Sequence, residues 1–316
     1  MTENAHHIHV QVTVLLAVHN GARFLRQQLE SLRNQELPPQ HVVIGDDGSA
    51  DNSIQIIKDF FSEWAECKLT IVEGPQLGSA ANFLSLFEYV EDGTDFAALC
   101  DQDDVWLENK LSNAIQRLGD EACLEKPSLY GSATWVCGPD LNRRKRSKKI
   151  SVDLGFSHAL VENYAGGNTM VMNRPAIDLV RKSLHVKARI PVHDWWIYQL
   201  ITGAGGNAFY DPQPSALYRQ HGENQIGDNS NLKAQLSRMG RVLRGDYKKW
   251  TEANLFVLQE LSHLLTPSNA TSVSDISNRR KGVFWKRLGI ISTHGLRRQG
   301  SAGQAALWLA VMFNRF

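Results

Sequence analysis

Val12-Thr-Val-Leu-Leu-Ala-Val18 is a near-continuous apolar, β-branched run. A strand with one wet face alternates; a run like this one needs cover on both faces. The following residues supply that cover. His19-Asn20-Gly21 breaks the run, and Leu25, Leu29 and Leu32 then recur at i, i+4 and i+7, the stripe of an amphipathic helix. Pro38-Pro39 ends this unit, and His41 to Gly45 reads as a second short strand closed by Asp46-Asp47-Gly48-Ser49. Ile54, Ile57 and Phe61 mark the next helix, Leu69 to Val72 a third strand, and Phe83, Phe87 and Val90 a third helix. Asp95 to Cys100 makes a fourth strand, and Leu111, Ile115 and Leu118 the helix after it. This alternation predicts an α/β fold, a mostly parallel sheet with helices on both faces.

Ligands of such sheets bind beyond the carboxyl ends of the strands. Three polar motifs fall there: His19-Asn20-Gly21, Asp46-Asp47-Gly48-Ser49 and Asp101-Gln102-Asp103-Asp104. The third places three carboxylates within four residues directly after an apolar strand. They repel unless a cation sits among them, and the simplest is a hard divalent metal, Mg²⁺ or Mn²⁺, of the kind that holds a diphosphate. The plainer reading is that Asp103 or Asp104 N-caps the next helix. Asp-Gly-Ser taken alone is a turn signal. No Gly-x-Gly-x-x-Gly and no Gly-x-x-x-x-Gly-Lys occurs, so neither dinucleotide nor P-loop chemistry is indicated.

The second half carries four further signals. Asn142 to Lys149 holds six basic residues in eight, either a solvated loop or a contact for an anionic acceptor or membrane. Gly166-Gly167-Asn168-Thr169 allows close backbone approach to a ligand, with Asn168 able to donate and accept, or it serves a bulge. In His193-Asp194-Trp195-Trp196, Asp194 is either an N-cap or a general base whose pKa apolar neighbours raise; the two tryptophans stack on a sugar face or fill core. Tyr218-Arg219-Gln220-His221-Gly222-x-Asn224 offers Arg219 to a diphosphate and His221 to a metal, and either residue alone is open to a loop role.

A net charge of +1 argues against a nucleic-acid partner. Cys67, Cys100, Cys123 and Cys137 are scattered and read as reduced core thiols, which fits the cytoplasm. Residues 1–9, with His6-His7-x-His9, read as a frayed tail without an apolar signal core. No apolar run reaches transmembrane length. Thr266 to Ser277 looks like a Ser/Thr/Asn linker. From Ile276 on there are eight basic residues and no acidic one, interleaved with Phe284, Trp285, Trp308, Leu309 and Phe313. This is either an interfacial anchor on an anionic leaflet or a helical pair packed on the domain. On the anchor reading, a chain ending near Thr266 stays soluble.

Together, the strand followed by His19-Asn20-Gly21, the Asp46-Asp47-Gly48-Ser49-x-Asp51 turn, the acidic motif, Gly166-Gly167-Asn168-Thr169, His193-Asp194-Trp195-Trp196 and Tyr218 to Asn224 resemble glycosyltransferase family 2 and its bacterial rhamnosyltransferase-type branch. The resemblance covers roughly residues 10–228. It implies a Rossmann-like GT-A domain over 10–228, with a nucleotide-binding half (10–120) and an acceptor half (121–228), followed by a helical C-terminal extension over 229–316. The implied reaction is inverting, metal-dependent transfer of a sugar, with rhamnose favoured, from a uridine or thymidine diphosphate donor. The acceptor is a lipid-linked or oligosaccharide glycan at the cytoplasmic face of the inner membrane. Ala17, His19, Asn20, Asp46, Asp47, Asp101, Gln102 and Arg219 are the donor-binding candidates, with Asp47 accepting the N3–H of uracil or thymine. Asp101, Asp103 and His221 are the metal candidates, Asp194 the base, and Asn168, His193, Trp195 and Trp196 the acceptor contacts. The rival readings are a sugar-nucleotide pyrophosphorylase, whose glycine-rich basic signature is absent, and a non-catalytic nucleotide-sugar-binding module, which would not need Asp194.

Overall fold

The computed structural model describes residues 10–142, 144–186, 189–221 and 246–316. The His6-His7-x-His9 cluster, Gly222-x-Asn224 and residues 229–245 lie outside the described residues. The donor half runs β1 (Val12–Val18), α1 (Leu25–Arg33), β2 (His41–Asp46), α2 (Ser53–Ser62), β3 (Lys68–Glu73), α3 (Ser79–Ser85), β4 (Phe96–Asp101), β5 (Val105–Trp106) and α4 (Lys110–Leu118). There follow α5 (Glu121–Leu124), β6 (Ser128–Cys137), β7 (Lys145–Arg146), α6 (Phe156–Ala159), β8 (Val171–Asn173), α7 (Arg174–Ser183), α8 (His193–Gly203) and β9 (Asn207–Arg219). Four helices close the chain: α9 (Asp246–Glu260), α10 (Pro267–Arg280), α11 (Phe284–Thr293) and α12 (Gly300–Met312).

Among the described residues one sheet has the order β3-β2-β1-β4-β8-β6-β9-β5, with β7 paired to β6. The first four strands are parallel, as the alternation requires, and their carboxyl ends are level: Val18 pairs with Asp46, Asp46 with Glu73 and Ala17 with Asp101. Antiparallel pairing begins at β8, which joins the donor half to β6.

The continuous apolar character of β1 has the expected cause. Leu15 faces one core, with Phe83, Trp196 and Ile197 of α3 and α8. Val12, Val14, Leu16 and Val18 face the other, with Leu25, Leu29, Phe60 and Leu111 of α1, α2 and α4. At about 25 cal/mol per Å² of apolar surface, both faces contribute to holding this strand. β4 alternates in the same way, Ala97 and Leu99 on one side, Ala98 and Cys100 on the other.

Pro212 and Pro214 lie inside β9. The register with β6 slips between Ser132 and Ala133, so an irregularity accommodates the prolines and lets the strand continue to Arg219. Thr266 to Ser277 is helix rather than linker. Thr266 is its N-cap, accepting from the Asn269 N–H at 3.3 Å, and Pro267 occupies the first turn.

The helical extension is also bound to the domain. Val273, Ile276, Ile290, Leu296, Leu307 and Val311 belong to the same core as Leu15 and Trp196. Arg298 pairs with Glu162 at 3.1 Å, the Tyr247 hydroxyl donates to Val161 O, and the Tyr247 ring stacks 5.9 Å from Trp195. A chain cut near Thr266 would expose this core. The extension keeps an outer face as well: Trp285 is 77% exposed and Phe313 67%, near the exposed Lys281, Lys286 and Arg315. No helix among the described residues is long and apolar enough to cross a membrane.

Candidate active site

The carboxyl ends of β1, β2 and β4 carry three loops that brace one another. His19 N–H donates to Gln102 Oε1 at 2.8 Å, and Gln102 Nε2 returns a bond to His19 O at 3.0 Å. A Cβ on Gly21 would stand 2.4 Å from that same Gln102 oxygen, which is why glycine occupies the position. Asn20 adopts φ 51°, its Oδ1 accepting from Ala50 N–H and its own N–H donating to Ser49 Oγ. Asp46 accepts from Ser49 N–H, and Asp47 from Gln76 N–H at 2.6 Å and Gly78 N–H at 3.1 Å. Ala17 lies in register between Gly45 and Asp101, so its main chain forms the floor of this edge.

Next to this floor stand four carboxylates. Asp101 is pushed well above the carboxylate range by burial and then by Asp104, Asp103 and Asp194. Asp104 is fully buried and raised by burial and by Asp103, against stabilising bonds from Asn168 and the Arg219 main chain. Asp103 Oδ2 lies 2.5 Å from His221 Nε2, and the His221 ring packs on Phe24. Asp194, on the first turn of α8, accepts from Gly167 N–H at 3.0 Å and from Trp195 N–H at 2.6 Å. Burial still raises it to about 6.

The cation that this acidic motif demands is in part the protein's own. Lys110, at the start of α4, is 0% exposed, donates to Asn168 O and lies 3.4 Å over the Trp106 ring. Burial drives its pKa down while Cys100, Asp104 and Asp101 hold it up. Sequence reasoning missed Lys110. The available signal was that it shares the buried stripe of α4 with Leu111, Ala114 and Leu118, where a lysine is out of place.

Four side chains stand elsewhere than expected for ligand contact. Arg219 is 3% exposed and turned inward: it donates to Asp103 O, Pro139 O and Gln27 Oε1 and lies 4.3 Å over the Phe24 ring. Its charge therefore supports the Asp103 loop from below instead of presenting a fork to a diphosphate. Asn168 is buried, and its amide donates to Asp104 Oδ2 at 2.5 Å. Trp196 is core, and Trp195 donates from Nε1 to Ala159 O beneath Tyr247, so neither ring offers a stacking face. His193 does remain at the site. Its ring stacks 4.2 Å from Phe83, burial lowers it to about 3, and its buried Nε2 has no partner among the described residues. Among those residues no group of three or more His, Cys, Asp or Glu side chains is arranged to hold a metal.

The chain belongs to glycosyl transferase family 2, whose model matches residues 13–174. It is 28% identical over 240 residues to the dTDP-rhamnosyl transferase RfbG of Shigella flexneri, covering 74% of this chain and 81% of that protein. It is 33% identical over 115 residues to the putative glycosyltransferase EpsH of Bacillus subtilis, covering 36% of this chain and 32% of EpsH. Among solved structures, Staphylococcus aureus TarS 1-349 in complex with UDP-GlcNAc superposes with a TM-score of 0.52 at 12% identity, covering 97% of this chain and 88% of that one. The mannosyltransferase PcManGT of Pyrobaculum calidifontis, in complex with GDP-Man and Mn2+, gives 0.50 at 15% identity, covering 96% and 85%. These superpositions establish the GT-A-like fold.

Proposed function

We propose that this family 2 glycosyltransferase moves a sugar, with rhamnose favoured, from a uridine or thymidine diphosphate donor to a glycan acceptor, inverting the anomeric configuration. The observation that carries the reading is the position of Asp194: a buried carboxylate raised to about 6 and close enough to Asp101 to perturb it. A base of that pKa is ionised at neutral pH and still basic enough to take a proton from an attacking hydroxyl. One displacement from the face opposite the leaving group inverts the centre, with no covalent sugar–enzyme intermediate of the retaining kind. The dTDP-rhamnosyl relative supports the sugar and the nucleotide.

The chain's residues divide the work. Asp47, held by Gln76 and Gly78 N–H groups, keeps acceptor capacity for the N3–H of uracil or thymine, with Asp46, Ala17, His19 and Asn20 shaping the base and ribose pocket. Cytosine lacks that N3–H, so cytidine donors are disfavoured. Asp103 and His221, 2.5 Å apart, would hold Mg²⁺ or Mn²⁺, which take one or two carboxylates and complete their shell with phosphate oxygens and water, with Asp101 the further candidate. Such an ion supplies Lewis-acid neutralisation of the charge that builds on the departing diphosphate. His193 Nε2, buried and without a partner among the described residues, would be the group that binds an acceptor hydroxyl.

The acceptor on this reading is a lipid-linked or oligosaccharide glycan of a bacterial surface polymer, met at the cytoplasmic face of the inner membrane. The outer face of α11 and α12 supports that location, because exposed Trp285 and Phe313 adjoin exposed Lys281, Lys286 and Arg315. The test is donor hydrolysis across a panel of uridine and thymidine diphosphate sugars with Mn²⁺. Release of nucleotide from one of them is expected, lost in Asp103→Ala and in excess chelator. Full activity in chelator would remove the metal role, and no hydrolysis of any donor with tight nucleotide binding would favour a binding module.

A further inference from the structure

The residues that place the base and those that place the acidic motif meet on two adjacent residues of one short turn, Gly167 and Asn168. Gly167 N–H donates to Asp194 Oδ2 at 3.0 Å. The next residue, Asn168, donates from its buried amide to Asp104 Oδ2 at 2.5 Å. Asp104 Oδ1 in turn accepts from Arg219 N–H at 3.0 Å, and Arg219 Nε donates to Asp103 O at 2.7 Å. Asp103 and His221 therefore hang from the same bonds that hold Asp104. Lys110 locks the middle of the chain, since its ammonium donates to the Asn168 carbonyl while lying over Trp106. Gly167 to Thr169 is a single 3-10 turn, packed under β4, and Asn168 is 4% exposed. The turn is closed by its own main chain, Thr169 N–H donating to Gly166 O at 3.0 Å and Met170 N–H to Gly167 O at 2.9 Å, so the contacts made by Gly167 and Asn168 keep a fixed separation.

We propose that Asn168 is a positioning residue: the Asn168–Asp104 bond, clamped by Lys110, sets the distance between the Asp194 carboxylate and the Asp103–His221 pair. It contacts no substrate. The proposal rests on the transferase reading, in which Asp194 takes the proton and Asp103 serves the diphosphate side. Reacting groups tolerate little misplacement, and a shift of about 1 Å can cost roughly 10²-fold in rate. The strut differs from general packing because its donor and acceptor can be exchanged. Asn168→Asp sets two carboxylates against each other across the bond. Asn168→Asp with Asp104→Asn reverses the direction of donation, keeps the net charge, and leaves an Oδ1 for the Arg219 N–H and the main-chain carbonyl for Lys110.

The experiment measures kcat for hydrolysis of the preferred donor, per folded molecule, with UDP and dTDP affinity by calorimetry in Mn²⁺. Asn168→Asp should lower kcat by about 10²-fold with nucleotide affinity within about tenfold, and the exchanged pair should recover to within about tenfold of the unmodified enzyme. Loss of folded protein without a change in kcat per folded molecule would show a purely structural role. Asn168→Asp with unaltered kcat, or an exchanged pair that folds but stays as slow as the single variant, overturns the proposal. Should Asn168→Asp not fold, the exchanged pair decides alone: recovery supports the strut, and a folded, slow protein refutes it. An unmodified enzyme that neither binds UDP or dTDP nor hydrolyses any donor strikes at the transferase reading instead, and the strut falls with it.

Discussion

Asp194→Asn separates the electrostatics of the base from its shape. The buried carboxyl titrates near 6 in the folded chain against an ordinary value of 3.8. Below the ordinary value it is protonated in both folded and unfolded chains. Between the two values the folded chain holds the proton that the unfolded chain has released, so native stability falls as pH rises through this window. A gap of about two units at 1.36 kcal/mol each makes the ionised group a burden of about 3 kcal/mol at neutral pH. Asparagine carries no such charge. The stability of the unmodified enzyme relative to Asp194→Asn should therefore fall by about 2–3 kcal/mol from about pH 4 to about pH 7. Urea unfolding of both proteins at the two pH values reads this directly; groups remote from Asp194 cancel in the difference, and Asp101, which the Asp194 charge raises, adds to the same fall. The rate has the opposite sense: donor hydrolysis by the unmodified enzyme should drop about tenfold from about pH 7 to about pH 5 as Asp194 takes up its proton. Asp194→Asn should lose about 10²–10⁴-fold of turnover and the acid limb with it. A stability difference that does not move with pH would show that Asp194 is not desolvated, and wild-type turnover in the variant would show that another group is the base.

Asp47→Ala removes both the nucleobase acceptor and the anchor of the Gln76–Gly78 loop, and should weaken UDP or dTDP binding by roughly 1–3 kcal/mol in a calorimetric titration. Equal affinity of the unmodified protein for CDP would contradict the pocket. Lys110→Met should cost about 1–3 kcal/mol of stability, because it leaves the Asn168 carbonyl buried without its donor, and chemical denaturation should show it. Trp285→Ala with Phe313→Ala should reduce sedimentation with anionic vesicles at high salt, whereas Lys281→Glu with Lys286→Glu should reduce it mainly at low salt. Indifference of the unmodified chain to such vesicles would leave the outer face of α11 and α12 without a membrane role.

The donor half was readable because each of its elements obeys one strong local rule. β1 is apolar on both faces because α3 and α8 cover one side and α1, α2 and α4 the other. The polar strand ends had to fall on one edge once the sheet was parallel. Beyond residue 120 local rules compete with long-range ones. Pro212 and Pro214 carry a loop signature, and only the slipped register against β6 lets β9 absorb them. Thr266-Pro267 is an N-terminal helix signal in its own right, masked by Ser/Thr/Asn composition. At the site, the sequence placed Asp194, Asp103 and His193 in one region but could not show which polar groups turn inward. Arg219, Asn168 and Trp195 are directed by partners at Asp103, Asp104 and Ala159, tens of residues away, and no local pattern reports such distances. Lys110 was the reverse case, a charged residue on an apolar stripe whose counter-charges lie on other elements.

The pairing of β5 with β9 has a consequence for how such enzymes can be recombined. Val105 and Trp106, directly after the acidic motif, are zipped to Leu217 and Ala216, and Asp104 takes hydrogen bonds from Asn168 and Arg219. The donor half is therefore completed by residues from the half that faces the acceptor. A chimera joined near residue 120, taking each half from a different relative, would inherit mismatched partners at the motif that handles the leaving group. Exchanges that keep 101–110, 166–169 and 216–221 from one parent preserve this closure, and new acceptor preferences are better sought around them than by trading whole halves.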